Sequence, residues 1–236
     1  MTKYKGKLYL IPAPLGDNPV EEVIPAHVLN TACALKCFVV EELRTARRFL
    51  SKYGLKGHID EIDFHELNEH TGQDDIRALL ELFADADVGL MSEAGLPAVA
   101  DPGARLVELC HENDIDVVPM VGPSSLMMAL MGSGLNGQCF EFCGYIPAKA
   151  DSRKAALRSL EKQSRAASRS EIIIETPYRN DALFADMLQN LSPDTRICVA
   201  ADISLPTQYI RTARVAQWRK EPVSIGKRPC VFIILA

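Results

Sequence analysis

The sequence predicts an α/β fold in two domains, a doubly wound parallel sheet followed by a mixed one. Three observations carry this. Short apolar runs rich in β-branched residues alternate with longer amphipathic segments through the first half, the pattern of β-α-β units. The alternation breaks at Val121-Gly122-Pro123-Ser124. At 236 residues the chain has room for one large or two small domains, at about 150 residues each.

In order, the strand-like runs are residues 7–11, 37–40, 61–64, 88–91 and 116–121, with helical patterns near 21–34, 43–53, 73–85 and 102–113 between them. Strands alternating with helices fold as parallel neighbours joined by right-handed crossovers, so an N-terminal domain over 1–121 is expected to be doubly wound. A C-terminal domain over 122–236 begins with a short helix containing Leu126 and Met131. Its strand-like runs are 140–144, 171–175, 197–200 and 231–235, with helical patterns at 152–162 and 179–190. Residues 204–218 have no clear helical period, which favours a mixed sheet there. No internal repeat or low-complexity tract occurs.

Composition narrows the function. Apolar residues at 47% and charged residues at 24% describe an ordinary globular chain. The 26 basic and 31 acidic residues leave a net charge of −5, which argues against blanket attraction to phosphates. Seven cysteines, an odd number without zinc-like or paired spacing, suggest free thiols in a reduced, cytoplasmic setting. Pro12 and Pro14 interrupt the first apolar run, against a signal peptide, and no run nears the ~18 residues of a membrane span.

A parallel sheet binds ligands at the carboxyl ends of its strands. Those segments here are Pro12-Ala13-Pro14-Leu15-Gly16-Asp17, Glu41-Glu42-Leu43-Arg44, Ser92-Glu93-Ala94-Gly95-Leu96-Pro97 and Gly122-Pro123-Ser124-Ser125. Glu41, Glu42 and Arg44 suit either a helix start or a functional edge. Ser124 and Ser125 suit either a helix cap or contact with a polar ligand, but Leu126 stands where a nucleophile elbow needs glycine. Gly132-Ser133-Gly134-Leu135-Asn136-Gly137 matches G-x-G-x-x-G, yet it follows a helix and precedes a strand, the reverse of a dinucleotide site. His65 and His70 are five apart, one too many for a helical zinc pair, so no metal is expected. Lys149, Arg153, Lys154 and Arg158, with Lys162 and Arg165 beyond, form either a solvated helix face or a phosphate contact.

In order, Gly6-Lys7-Leu8-Tyr9-Leu10-Ile11-Pro12-Ala13-Pro14-Leu15-Gly16, Glu41-Glu42-Leu43-Arg44, His65-Glu66-Leu67-Asn68-Glu69, the stretch from Ser92 to Gly103, Gly122-Pro123-Ser124, Gly132-Ser133-Gly134-Leu135, Gly144-Tyr145-Ile146-Pro147-Ala148-Lys149 and Glu175-Thr176-Pro177-Tyr178-Arg179 resemble the tetrapyrrole methylase superfamily. The likeness is greatest to its branch of small-subunit ribosomal RNA methyltransferases that act on a cytidine ribose 2′-hydroxyl. It runs from about Lys5 to Arg179 and weakens beyond. The resemblance implies a homodimer without a metal, holding S-adenosylmethionine in a cleft between two α/β domains. The matching cofactor positions are Leu15, Gly95, Leu96, Pro97, Val99, Ser124 and Ser125, with Tyr145, Ile146 and Ala200 from the second domain.

The departures fall where substrate should lie. The family's Glu-Asp-Thr-Arg has Glu42 and Leu43 in its middle here, and its Ser-Asp-Ala-Gly-Thr-Pro has Glu93 and Leu96. An Arg-Glu-Leu-Thr-Lys run is replaced by Ala201-Asp202-Ile203-Ser204-Leu205, which removes two cations and with them phosphate affinity. Three functions follow as expectations: RNA ribose methylation, with Glu41 or Glu42 accepting the hydroxyl proton and Arg44 steadying the carboxylates; methylation of a small molecule or protein; or a non-catalytic S-adenosylmethionine-binding homologue.

Overall fold

The computed structural model describes residues 4–236, and the boundary between its two compact units falls between Ser124 and Ser125. The first unit runs β1 (Leu8–Leu10), α1 (Val20–Val23), α2 (Ala26–Ala34), β2 (Cys37–Val40), α3 (Leu43–Leu50), β3 (Asp63–Glu66), α4 (Gln73–Ala78), β4 (Val88–Met91), α5 (Ala104–Glu112) and β5 (Val117–Pro119). Its five strands lie in the order β3-β2-β4-β1-β5, and every pairing is parallel.

Two local differences from the sequence reading have clear causes. The helical pattern at 21–34 is split because Pro25 forces Ile24 into extended backbone and starts α2 afresh. The third strand begins two residues later than expected, since Ile59–Glu61 form a 3₁₀ turn and the amide of Asp63 is the first to donate to β2's lead-in, at Lys36 O, 2.9 Å. His65 and Glu66 therefore belong to a strand.

Side chains alternate across the sheet, so β2 sends Phe38 and Val40 into one buried layer with Val20, Val28, Phe49 and Leu50, and Cys37 and Val39 into the other with Ile76, Phe83, Leu90 and Leu106. Each such large side chain contributes about 1.5–3 kcal/mol by leaving water. The chain steps from β1 through β2 to β3 in one direction and through β4 to β5 in the other. Right-handed crossovers then place α1 to α3 on one face and α4 and α5 on the other. The neighbours β1 and β4 thus send their connections to opposite faces, which opens a crevice at their carboxyl ends.

The second unit runs α6 (Ser125–Ser133), β6 (Phe140–Tyr145), α7 (Ala150–Ala167), β7 (Ser170–Ile174), α8 (Asn180–Asn190), β8 (Arg196–Ala201), β9 (Tyr209–Arg214), α9 (Val215–Trp218) and β10 (Cys230–Leu235). Its sheet is mixed, in the order β6-β7-β10-β8-β9, with β6 parallel to β7 and the remaining pairs antiparallel. Trp218 anchors the core, edge-on to Phe184 at 5.2 Å, with Nε1 donating to Ile197 O at 3.0 Å. The glycine-rich hexapeptide closes α6: Ser133 Oγ donates to Leu130 O at 2.7 Å and accepts from Leu135 N at 3.0 Å, and Gly134 takes φ 65°. All seven cysteines are free, and no helix among the described residues is long and apolar enough to cross a membrane.

Candidate functional site

At the crevice between β1 and β4, main chain meets main chain. Ala13 N donates to Gly95 O at 2.8 Å, and Gly95 N returns a bond to Ala13 O at 3.0 Å. The segment after β5 joins them: a Cβ on Gly122 would stand 2.2 Å from Pro12 Cβ, so only glycine allows this approach. The loop after β4 holds Gly95, Ala98 and Ala100 at φ 73°, 66° and 59°. Left-handed backbone costs an alanine about 1–2 kcal/mol, and such strain survives where the surroundings impose a shape. Leu15 and Leu96 are half-buried, Gly95 and Pro97 buried, Val99 48% exposed, and Ser124 half-buried at the unit's end.

Glu41 extends β2 beside this loop. Its amide donates to Met91 O at 3.2 Å and its Oε2 accepts from Glu93 N at 3.1 Å. Burial pushes its carboxyl above the ordinary glutamate value; the bond from Glu93 N opposes this, and the nearby acids Asp101 and Glu93 add to it. Asp101 is likewise pushed up by burial. Its Oδ1 accepts from Gly103 N at 2.7 Å, while Oδ2 is buried with no hydrogen-bond partner among the described residues. Two half-buried carboxyls, of which Asp101 raises Glu41, therefore sit at the sheet's ligand edge.

Glu42 is differently employed. Its two oxygens accept from Arg44 N at 3.0 Å and Thr45 N at 2.6 Å, capping α3, and the Thr45 hydroxyl together with these amides holds its carboxyl below the ordinary glutamate value. Arg44 is exposed, and Arg48 and Lys52 follow it at intervals of four, a cationic stripe running away from the sheet edge. Arg48 and Lys52 line a concavity of about 510 Å³ together with Pro14, Leu15 and Glu93.

In the second unit, Ser125 opens α6. A bulge at Cys143 in β6, next to Gly144 at φ 67°, shifts the register against β7. Past it Ile146 enters the core, while Tyr145 stays 60% exposed. Ala200 is fully buried in β8. The cationic helix face separates into two kinds of residue. Arg153 is bound to Asp186 at 2.5 Å and to Ala148 O at 2.9 Å, so it is structural and not a free phosphate contact; Lys149, Lys154, Arg158, Lys162 and Arg165 are exposed. Glu175 and Arg179 also form an ion pair, with Arg179 Nε 2.9 Å from Glu175 Oε1.

The candidates Leu15, Glu41, Gly95, Leu96, Pro97 and Val99 therefore gather at the carboxyl edge of the first unit. Tyr145, Ile146 and Ala200 belong to the second. The sequence reading did not single out Asp101, although it lies in the flagged stretch from Ser92 to Gly103, nor Arg48 and Lys52, whose fourfold spacing from Arg44 was visible. Main-chain groups shaped by small residues and prolines suit the polar groups of an amino-acid nucleoside such as S-adenosylmethionine.

The first unit is accordingly a doubly wound domain with a switch point between β1 and β4 and a carboxyl of raised pKa at that edge. Residues 7–218 match the family model described as Tetrapyrrole (Corrin/Porphyrin) Methylases. The chain belongs to that family and is an S-adenosylmethionine-dependent methyltransferase. It is similar to Ribosomal RNA small subunit methyltransferase I of Vibrio cholerae, 28% identical over 231 residues that cover 96% of this chain and 76% of that one. The protein of the same name from Neisseria meningitidis serogroup B is 34% identical over 199 residues, 84% of this chain and 64% of the other. Among solved structures, diphthine synthase matches with a TM-score of 0.66 at 16% identity, over 98% of this chain and 90% of that one. Uroporphyrin-III C-methyltransferase from Thermus thermophilus, complexed with S-adenyl homocysteine, matches at 0.58 and 16%, over 98% and 97%.

Proposed function

We propose that this chain methylates small-subunit ribosomal RNA and that the acceptor is a ribose 2′-hydroxyl. The observation that carries the reading is the half-buried Glu41 carboxyl, set at the ligand edge with its Oε2 on Glu93 N, raised above its ordinary range and free of any cationic partner among the described residues. A hydroxyl, unlike a carbon or an amine, must lose its proton as it attacks, and a carboxylate of raised pKa is the better acceptor. The relatives' names support RNA as the substrate class.

S-adenosylmethionine supplies an electrophilic methyl group when bound. Main-chain groups around Gly95, Leu96 and Val99, with Leu15 and Ser124, would hold it, and Ser125, Tyr145, Ile146 and Ala200 are the positions of the second unit that would contribute. Glu41 would accept the proton of the acceptor hydroxyl. Asp101 keeps Glu41 basic. Glu42 has the structural task of holding α3, which places Arg44 and Arg48 for substrate phosphates, while Lys52 beyond the helix is ion-paired with Asp17. In-line placement of the hydroxyl supplies most of the acceleration, and the protein performs the reaction as a homodimer.

One region favours a second reading, a small-molecule or protein acceptor. After β8 the family's two cations are absent, and the loop instead holds Asp202 and Ser204 in left-handed backbone, with Asp202 Oδ2 accepting from Thr207 Oγ1 at 2.9 Å. Labelled S-adenosylmethionine incubated with undermethylated small ribosomal subunits, a protein fraction and a metabolite fraction separates the two. Label in a nuclease-sensitive, alkali-resistant ribose supports the first reading; label confined to either other fraction sinks it.

A further inference from the structure

We propose that Cys37, Asp63 and His65 form a binding site for a borderline divalent cation of the zinc class. Cys37 opens β2 and Asp63 opens β3, and the parallel register sets them side by side. His65 stands two residues along β3 on the same face, so one sulfur, one carboxylate oxygen and one imidazole nitrogen lie within 4.8 Å of one another. Tetrahedral zinc, with Zn–S of about 2.3 Å and Zn–N of about 2.0 Å, needs its ligand atoms roughly 3.5 Å apart, a closure within reach of side-chain rotation. His65 Nε2 and Asp63 Oδ2 are already 2.9 Å apart.

The Cys37 side supplies an independent observation. Cys37 is only 7% exposed, and its thiol has no hydrogen-bond partner among the described residues. The other two groups rise towards solvent, so the cluster has an open side for entry and for a water as fourth ligand. A thiolate, an imidazole and a single carboxylate select zinc or cobalt over magnesium or calcium, which take oxygen ligands only. On ligation the sulfur–hydrogen bond gives way to a sulfur–metal bond and the proton goes to solvent. Burial, with Asp63, pushes the free thiol up to about 11, which disfavours a nucleophilic role in the metal-free protein.

The site stands at the amino ends of β2 and β3, the sheet edge opposite Glu41, and is independent of the proposed reaction. A bound ion would tie the edge strand β3 to β2. Sequence spacing could not show this, because the third ligand comes from a neighbouring strand and not from the His65–His70 interval.

The test uses the full chain freed of metal by a chelator and titrated with Co²⁺. One equivalent should produce a thiolate-to-cobalt charge-transfer band that zinc displaces. The band should vanish in Cys37→Ser, persist in Cys139→Ser, and need about tenfold or more metal in Asp63→Asn and His65→Ala. Should Cys37→Ser fail to fold, zinc-dependent thermal melting decides: zinc should raise the melting temperature of the parent and leave that of His65→Ala unmoved. No charge-transfer band in the parent, a band that survives in Cys37→Ser, or an equal zinc effect on parent and His65→Ala would overturn the site.

Discussion

Several acids drawn partly or wholly out of water are held in opposite ways in the two units. In the second, Glu171 lies 3.0 Å from Arg169, Glu175 is bound by Arg179 and Asp186 by Arg153. In the first, Glu41 and Asp101 have only main-chain donors, hydroxyls and each other, and burial raises both. A buried carboxylate with an arginine is fixed as an anion and serves architecture. One left without a cation is poised to take up a proton, and its desolvation cost is borne by the rest of the fold. The contrast separates working acids from scaffolding ones within a single chain.

The largest effect should come from breaking the working side. Glu41→Gln should lower methyl transfer by about 10²–10⁴-fold while leaving S-adenosylmethionine affinity nearly unchanged, as read by labelled transfer and calorimetry. Breaking the scaffolding side should behave in reverse. Arg179→Ala strands Glu175, whose side chain is fully buried, and should cost about 3 kcal/mol in denaturant unfolding.

A subtler test exchanges the neighbour. Asp101→Asn removes an acid that raises Glu41, so the acid limb of the rate profile should move to lower pH. Stability runs the other way. A folded glutamate raised above its unfolded value holds an extra proton between the two values, so the parent should lose stability as pH climbs through that window, and Glu41→Gln should not. The smallest effect belongs to Glu42→Ala, which loses the α3 cap and should cost about 1 kcal/mol in thermal unfolding.

Much of this was legible in the sequence. Cys37-Phe38-Val39-Val40 and Val88-Gly89-Leu90-Met91 form β2 and β4 with the expected bounds, because central parallel strands are apolar on both faces. The edge strand β9 was not recognised, since Tyr209-Ile210-Arg211-Thr212-Ala213-Arg214 carries two arginines that a half-exposed edge tolerates. The third strand was placed two residues early because its Asp63 and Glu66 mask its ends. At the site, the strand-end segments announced themselves by prolines and small residues. The partnership of Glu41 with Asp101 spans sixty positions and depends on which strands are neighbours, which no local pattern encodes.

The reciprocal amide bonds between Ala13 and Gly95 stitch two connections into a miniature ladder. Neither connection can then swing without the other, so deuterium uptake at those two amides should rise and fall in step. Whatever quiets one should quiet both.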